Sequence, residues 1–302
     1  MKWDGMERDS GVSPDDGIAM WVADSDFRPP ACVQAAVEKI TDLGIYGYSV
    51  QPDSYREAIC WWMEQRHGWH VEPGMIITAY GLVNATGLCL QTWSEPGDAV
   101  AVMAPVYHAF GRVIRAAGRG LTELPLRMAD TYELDLDAWE RHLTGREKIM
   151  MLCSPHNPSG RIWTREELTA IAAFARRHDM IVVADEVHAD LIYPGHSHLS
   201  YAHVTGAGDR FVFLGSASKA FNLAGAYTGH MIVPDEALRR QLKQTWLGLG
   251  IAWNMFGIAL NEAAYSPEGA DWIDAQMRYL DENRAIWEAG VNALPGVRAI
   301  PL

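Results

Sequence analysis

The stretch Gly215-Ser216-Ala217-Ser218-Lys219-Ala220-Phe221-Asn222-Leu223-Ala224-Gly225 decides how this chain is read. It sets a lysine beside two small hydroxyl residues and ahead of a glycine-bearing segment. A lysine amine forms a Schiff base with an aldehyde cofactor such as pyridoxal phosphate, and neighbouring serines, here Ser216 and Ser218, hydrogen-bond its phosphate. Taken alone, S-x-S-K is four letters, and the plainer alternative is a surface turn. The reading therefore turns on a partner for the pyridine nitrogen.

Met180-Ile181-Val182-Val183-Ala184-Asp185 supplies one: a buried strand ending in a carboxylate. A carboxylate at a strand's C-terminal end keeps a pyridine nitrogen protonated and makes the ring an electron sink. The bland alternative is a polar residue closing a strand. A third element argues against it. Cys153-Ser154-Pro155-His156-Asn157-Pro158-Ser159-Gly160 follows the apolar run Ile149-Met150-Met151-Leu152. A turn bounded by prolines can hold the Asn157 amide against the cofactor's phenolic oxygen. The order Asn-Pro, strand-Asp, S-x-S-K is far more specific than any one part.

With these residues in place, the chain resembles the fold-type-I pyridoxal phosphate enzymes of the aminotransferase class I/II superfamily. Within them it is most similar to the cystathionine β-lyase (C–S lyase) subfamily. The closer match rests on Lys2-Trp3-Asp4, Met20-Trp21-Val22-Ala23-Asp24-Ser25-Asp26-Phe27, Tyr46-Gly47-Tyr48, Pro105-Val106-Tyr107, Pro155-His156-Asn157-Pro158, Asp185-Glu186-Val187-His188-Ala189-Asp190-Leu191 and the Lys219 motif. The resemblance implies a mostly parallel central sheet with helices on both faces. It implies an N-terminal segment (1–35) serving a small domain and a dimer contact, a large cofactor-binding domain (36–265), and the start of a C-terminal small domain (266–302). It implies a homodimer in which Tyr48 serves the neighbouring subunit's phosphate, His188 as a cofactor neighbour, and Asp24 as a substrate contact.

The residues themselves support the same class. Candidate strands are Met75–Thr78, Ala99–Ala104, Ile149–Cys153, Met180–Asp185, Phe211–Leu214 and His230–Val233. Several are near-continuous apolar runs, as expected of strands covered on both faces. Helical stretches at Leu82–Trp93, Phe110–Ala117, Arg165–His178 and Glu236–Leu249 alternate with them. Thr164-Arg165-Glu166-Glu167 reads as a capping box. Such alternation argues for an α/β domain.

Further candidates follow from placing a phosphorylated ring at the strand ends. Gly81, Leu82 and Val83 lie between a strand and a helix, where helix-start amides and a close backbone approach suit a phosphate. An ordinary helix-entry turn is the alternative. Tyr107 could stack on the ring face, or be a core tyrosine.

Two departures refine the family reading. Many aminotransferases carry an arginine eight residues after the lysine, where Tyr227 stands here. They tend to have a tyrosine three residues after the aspartate, where this chain has His188. The histidine fits the C–S lyase pattern and favours β-elimination: Lys219, neutral, removes the Cα proton, a thiolate leaves Cβ, and pyruvate and ammonia follow. From cystathionine the thiol would be homocysteine. A transaminase shares the first half and reprotonates the cofactor carbon instead. A third possibility is a cofactor-binding protein without catalysis.

Composition fits a soluble globular enzyme, and the resemblance implies a small amino-acid substrate. The chain's 302 residues suffice for a large core, and the formal charge of −13 with no basic block argues against nucleic acid. Cys32, Cys60, Cys89 and Cys153 form no C-x-x-C pair, so free thiols in a reducing cytoplasm are expected. His188, His196 and His198 lack cysteines or paired carboxylates at ligand spacing, so no metal site is expected. No membrane span or signal peptide is read. Trp272–Leu294 reads as a long helix entering a second domain, ahead of Arg298-Ala299-Ile300-Pro301-Leu302. Relatives continue for on the order of a hundred residues, with an arginine there for the substrate carboxylate. The resemblance thus implies a shortened C-terminal domain and a short missing N-terminal arm.

Overall fold

The apolar runs become the centre of an eight-stranded sheet in the computed structural model, which describes residues 2–206 and 208–300. Its strands are β1 (Ile76–Ala79), β2 (Ala99–Ala104), β3 (Gly120–Met128), β4 (Tyr132–Leu134), β5 (Glu147–Cys153), β6 (Ile181–Asp185), β7 (Phe211–Gly215) and β8 (Gly229–Ile232). Their order is β1-β8-β7-β6-β5-β2-β3-β4. The pairs from β3 through β2, β5 and β6 to β7 are parallel, whereas β8 is antiparallel to both β7 and β1, and β4 to β3. The sheet is therefore mixed but mostly parallel, in a fold-type-I α/β architecture.

Helices follow the same chain order: α1 (Lys2–Ser10), α2 (Ala31–Leu43), α3 (Asp53–His67), α4 (Leu82–Trp93), α5 (His108–Ala116), α6 (Leu136–His142), α7 (Arg165–Arg177), α8 (Glu236–Gly248), α9 (Met255–Ala264) and α10 (Pro267–Asn292). Because side chains alternate along a strand, each apolar run divides between two cores. Met150, Leu152, Val182, Ala184 and Phe213 join Ile59, Trp62, Phe174 and Ile273 on one face. Ile149, Met151, Val183, Val212 and Leu214 join Leu88, Phe110, Ile114 and Leu242 on the other. This division explains why the central strands read as unbroken hydrophobic runs.

Several elements differ from the sequence expectation. The strands β3 and β4 and the helices α1, α2, α3, α6 and α9 go beyond it; β3 carries a proline and polar residues that obscure its pattern. The last helix begins at Pro267 rather than Trp272, because Ser266 caps it and proline suits its first turn. Pro301 and Leu302, at the end of the segment read as a second domain, lie outside the described residues. Among the described residues no helix is long and apolar enough to cross a membrane.

The capping box that opens α7 is formed: Glu167 N–H donates to Thr164 Oγ1 at 3.2 Å, and the Thr164 N–H donates to Glu167 Oε2 at 2.9 Å. Thr164→Ala is expected to cost about 1 kcal/mol and to lower the thermal midpoint by roughly 2 °C. Differential scanning calorimetry of the two proteins checks this, and an unchanged midpoint would show the box to be without weight.

Candidate active site

Strand direction brings the candidate residues together. The β1, β2, β5, β6 and β7 strands all run the same way, so their C-terminal ends share one edge of the sheet. Gly81 follows β1, Tyr107 follows β2, Asn157 follows β5, Asp185 ends β6, and Lys219 lies on the turn after β7. This is the edge where open α/β sheets bind ligands.

Lys219 is half-buried, and its Nζ donates to the Ala23 carbonyl at 3.0 Å. Burial lowers its pKa, against the attraction of Asp24 and Asp185. Asp185 is buried, with Oδ1 accepting from the Val187 N–H at 3.1 Å. Burial pushes its carboxyl up to about 6; the Val187 hydrogen bond opposes this, the Glu186 charge adds to it, and Lys219 opposes it. Burial, with help from Lys219, pushes His188 down to about 4, so it is neutral at pH 7. A buried acid and a desolvated amine thus face each other across the cleft beside a neutral imidazole.

The helix α4 opens with a free N-terminus. Its cap, Gly81, lies at φ +78° with open space where a side chain would be, and it offers no side-chain acceptor to the Leu82 and Val83 turn. Of the two serines, Ser216 spends its hydroxyl proton on the Thr228 carbonyl at 2.7 Å and accepts from the Ser218 N–H at 3.0 Å. It closes the turn, leaving Ser218 the better placed hydroxyl for an anion. Tyr107 caps α5 and packs edge-on to Phe110. Tyr227, at the position eight residues after the lysine, stacks on Tyr80 with ring centres 5.7 Å apart.

Two residues sit differently. Tyr48 is fully exposed. The Asp24 carboxylate is engaged by Lys2 Nζ at 3.2 Å. Beyond Asn157 and His188 opens a cavity of about 690 Å³, walled by Leu191, Ile192, Met277 and Leu280 with Ala23 at its rim.

A pyridoxal phosphate ring calls for an amine, a buried carboxylate, an amide for its phenolic oxygen and an anion cradle. The described residues offer each of these at one strand edge, so the site fits that group.

Sequence reasoning missed the polar layer that supports the Asp185–Leu191 turn. Glu186 accepts from Ser200 Oγ at 3.1 Å and the Tyr201 N–H at 2.8 Å, and its other oxygen meets His198 Nε2 at 2.7 Å. Asp190 accepts from Trp62 Nε1 at 3.1 Å and pairs with His67 Nε2 at 3.1 Å. Burial raises the Asp190 carboxyl, but His67, the Trp62 hydrogen bond and Arg66 together more than offset it, and His67 is correspondingly held above its ordinary value despite burial. Both acids were visible in the Asp-Glu-x-His-x-Asp pattern; the partners of Glu186 lie a short way downstream and those of Asp190 in a distant segment, in neither case within a motif of their own.

Comparison with known proteins matches this geometry. The aminotransferase class I and II family profile covers residues 21–300. The cystathionine beta-lyase PatB of Bacillus subtilis is 36% identical over 99% of this chain and 78% of its own length. Among solved structures, OvoB superposes with a TM-score of 0.89 at 33% identity, over 94% of this chain and 75% of that one. Cystalysin from Treponema denticola, which contains pyridoxal 5'-phosphate, gives 0.89 at 27% identity over 97% and 75%. The chain belongs to the aminotransferase class I and II family, as a fold-type-I pyridoxal phosphate-dependent enzyme closely related to the cystathionine β-lyases and C–S lyases.

Proposed function

We propose that the chain is a carbon–sulfur β-lyase that cleaves L-cystathionine or a related β-thio amino acid to pyruvate, ammonia and a thiol. The observation that carries this reading is the Lys219 amine, desolvated at the strand edge between the Ala23 carbonyl and the Asp185 charge, beside a neutral His188. Its similarity along almost its whole length to a protein named cystathionine beta-lyase supports the choice of lyase over transaminase. So does the apolar cavity beyond His188, which suits a thioether side chain.

In this reading each residue has a role. Lys219 holds the cofactor, Asp185 pairs with its ring nitrogen, the Asn157 amide meets its phenolic oxygen, and Tyr107 covers the ring face. The Gly81–Val83 amides and Ser218 hold the phosphate, with Ser216 fixing the turn. Pyridoxal phosphate, when bound, supplies a protonated ring that takes up the electron pair left at Cα. The freed Lys219 amine, whose cation burial disfavours, accepts the Cα proton. The Cβ–S bond then breaks, the thiolate leaves as a thiol after protonation, and water converts the remaining fragment to pyruvate and ammonia.

A homodimer belongs to the same proposal. Leu43, Ile45, Tyr46, Tyr48 and Val50 are exposed along one short stretch of chain, and Leu247 and Leu249 are exposed as well. Tyr46 rests near Phe256, and Gln51 Nε2 donates to Thr78 Oγ1 at 2.6 Å, so this stretch runs toward the strand-edge site. A run of exposed apolar residues of this kind suits a partner, and Tyr48 would serve the neighbour's phosphate.

Pyruvate release from L-cystathionine without a keto-acid acceptor tests the reaction. Lys219→Ala should abolish release while keeping part of the cofactor affinity; retained release would refute the base assignment, and keto-acid-dependent exchange alone would indicate a transaminase.

The Asp185 carboxyl is raised in the folded, cofactor-free chain, so its contribution to stability is complete below about pH 4 and is lost as pH rises through about 6. Asp185→Asn should therefore stabilise the cofactor-free protein at pH 7, by on the order of 3 kcal/mol, with no gain near pH 4. In the loaded enzyme the same change should slow Cα deprotonation. Chemical denaturation at the two pH values and a deuterium-substrate rate check both; an unchanged deprotonation rate would remove Asp185 from the ring nitrogen.

Light scattering should give the mass of two chains, and Tyr48→Ala should weaken pyridoxal phosphate binding roughly tenfold, as expected for one lost bond to a charged group. A fully active monomer would overturn the dimer.

A further inference from the structure

The segment from Ala19 to Phe27 crosses over the lysine turn as a strap, and one side chain ties the two together. Asn222 Oδ1 accepts from the Ser25 N–H at 3.2 Å, while Nδ2 donates to the Ser25 carbonyl at 2.9 Å and the Phe27 carbonyl at 3.2 Å. The amide pairs with this backbone as a neighbouring strand would, satisfying groups that otherwise need water. Asn222 itself lies at φ +57°, a conformation that asparagine tolerates better than most residues. The Leu223 N–H donates to the Ser218 carbonyl at 2.9 Å, fixing the turn from which the amide projects.

The strap has other moorings away from Lys219: Trp3 Nε1 donates to Asp26 Oδ1 at 2.8 Å and Trp21 Nε1 to the Lys2 carbonyl at 3.4 Å. Lys2 Nζ reaches Asp24 Oδ1 at 3.2 Å and Asp26 Oδ2 at 3.3 Å from outside, and the Phe27 ring packs edge-on to Tyr279 of α10 at 5.5 Å. The Asn222 bonds and, beside them, the Lys219–Ala23 hydrogen bond join the strap to the turn carrying Lys219.

We propose that Asn222 is a positioning residue whose side-chain amide latches the 19–27 strap over Lys219, so that the Ala23 carbonyl and the strap backbone keep water from the amine. The inference rests on Lys219 being the proton-transfer base. The groups facing that amine are Asp24 on the strap, Asp185 at the end of β6 and neutral His188 on the following turn. The two carboxylates favour the ammonium, and burial under the strap opposes them. Releasing the strap lifts the burial, the largest influence, and this outweighs the withdrawal of Asp24 with it, while Asp185 stays in place. The amine then becomes a weaker source of neutral base near pH 7.

Hydrogen-exchange mass spectrometry of the full chain, both loaded with pyridoxal phosphate and stripped of it, tests the latch. Asn222→Gly keeps the backbone conformation accessible and removes the amide. Asn222→Asp keeps the acceptor and the conformation but removes both donated bonds. Both variants should raise exchange of the 19–28 peptide roughly tenfold, as expected from losing one or two hydrogen bonds in a locally opening segment. The strands β7 and β8 should exchange as in the parent. In the stripped protein, the pH midpoint for acylation of Lys219, read by peptide mass, should move upward in both variants. Wild-type protection of the strap, equal loosening of β7 and β8, or an unmoved acylation midpoint would each overturn the proposal. Exchange and acylation need no turnover, so failure of the latch is distinguishable from failure of the lyase reading, which the pyruvate assay alone decides.

Discussion

A carboxylate with its pKa pushed up to about 6 by burial is costly to keep ionised unless a cation arrives beside it. Asp185 stands in that position at the end of β6, held by the Val187 N–H and looking across at a desolvated lysine. The site is therefore electrostatically unfinished on the protein side. A protonated pyridine ring is the kind of group that completes it, with the same proximity favouring both charges. Neutral His188 adds aromatic surface without supplying a competing cation.

The layer beneath Asp185 determines whether this arrangement is stable. Glu186 and Asp190 flank it in sequence, and two further unpaired negative charges would raise Asp185 more. Instead each carboxylate turns away and finds its own partners: His198, Ser200 and the Tyr201 N–H for Glu186, and His67 with Trp62 for Asp190. Removing one member of such a buried pair leaves the other uncompensated, which is far more harmful than the net worth of the pair suggests. These contacts also tie the turn to α3, so the position of Asp185 depends on helix packing as well as on the sheet.

The distinction between local and distant partners accounts for what the sequence disclosed. Strands buried on both faces write themselves as apolar runs, and residues just after them fall on one edge by topology alone. The placement of Lys219, Asp185, Asn157 and Gly81 at that edge was therefore legible, as was the helix α4 to its residue bounds. The strand β3 was not, because Pro125 and its charged residues mask the period-two pattern of a strand near the sheet's edge. Nor were the partnerships of Asp190 with His67 and of Asn222 with Ser25, which join segments separated by most of the sheet. Ser216 shows a subtler limit: the motif marks it as a phosphate donor, and the fold commits its proton to a backbone carbonyl.

The phosphate end of the site extends this logic. An arginine there would provide a full positive charge, whose attraction for a phosphate falls off slowly with distance. Here Tyr227, itself at φ +44°, stacks on Tyr80, the residue leading into Gly81. Anion binding in the proposed cradle then depends on helix-start amides, which act only over a short range and in one direction. Such a cradle must be held rigidly. The ring stack braces one side of it, and the Ser216–Thr228 bond braces the turn opposite. Where charge is replaced by oriented dipoles, geometric precision has to come from packing, and at this site the aromatic stack and the serine-closed turn are the elements that supply it.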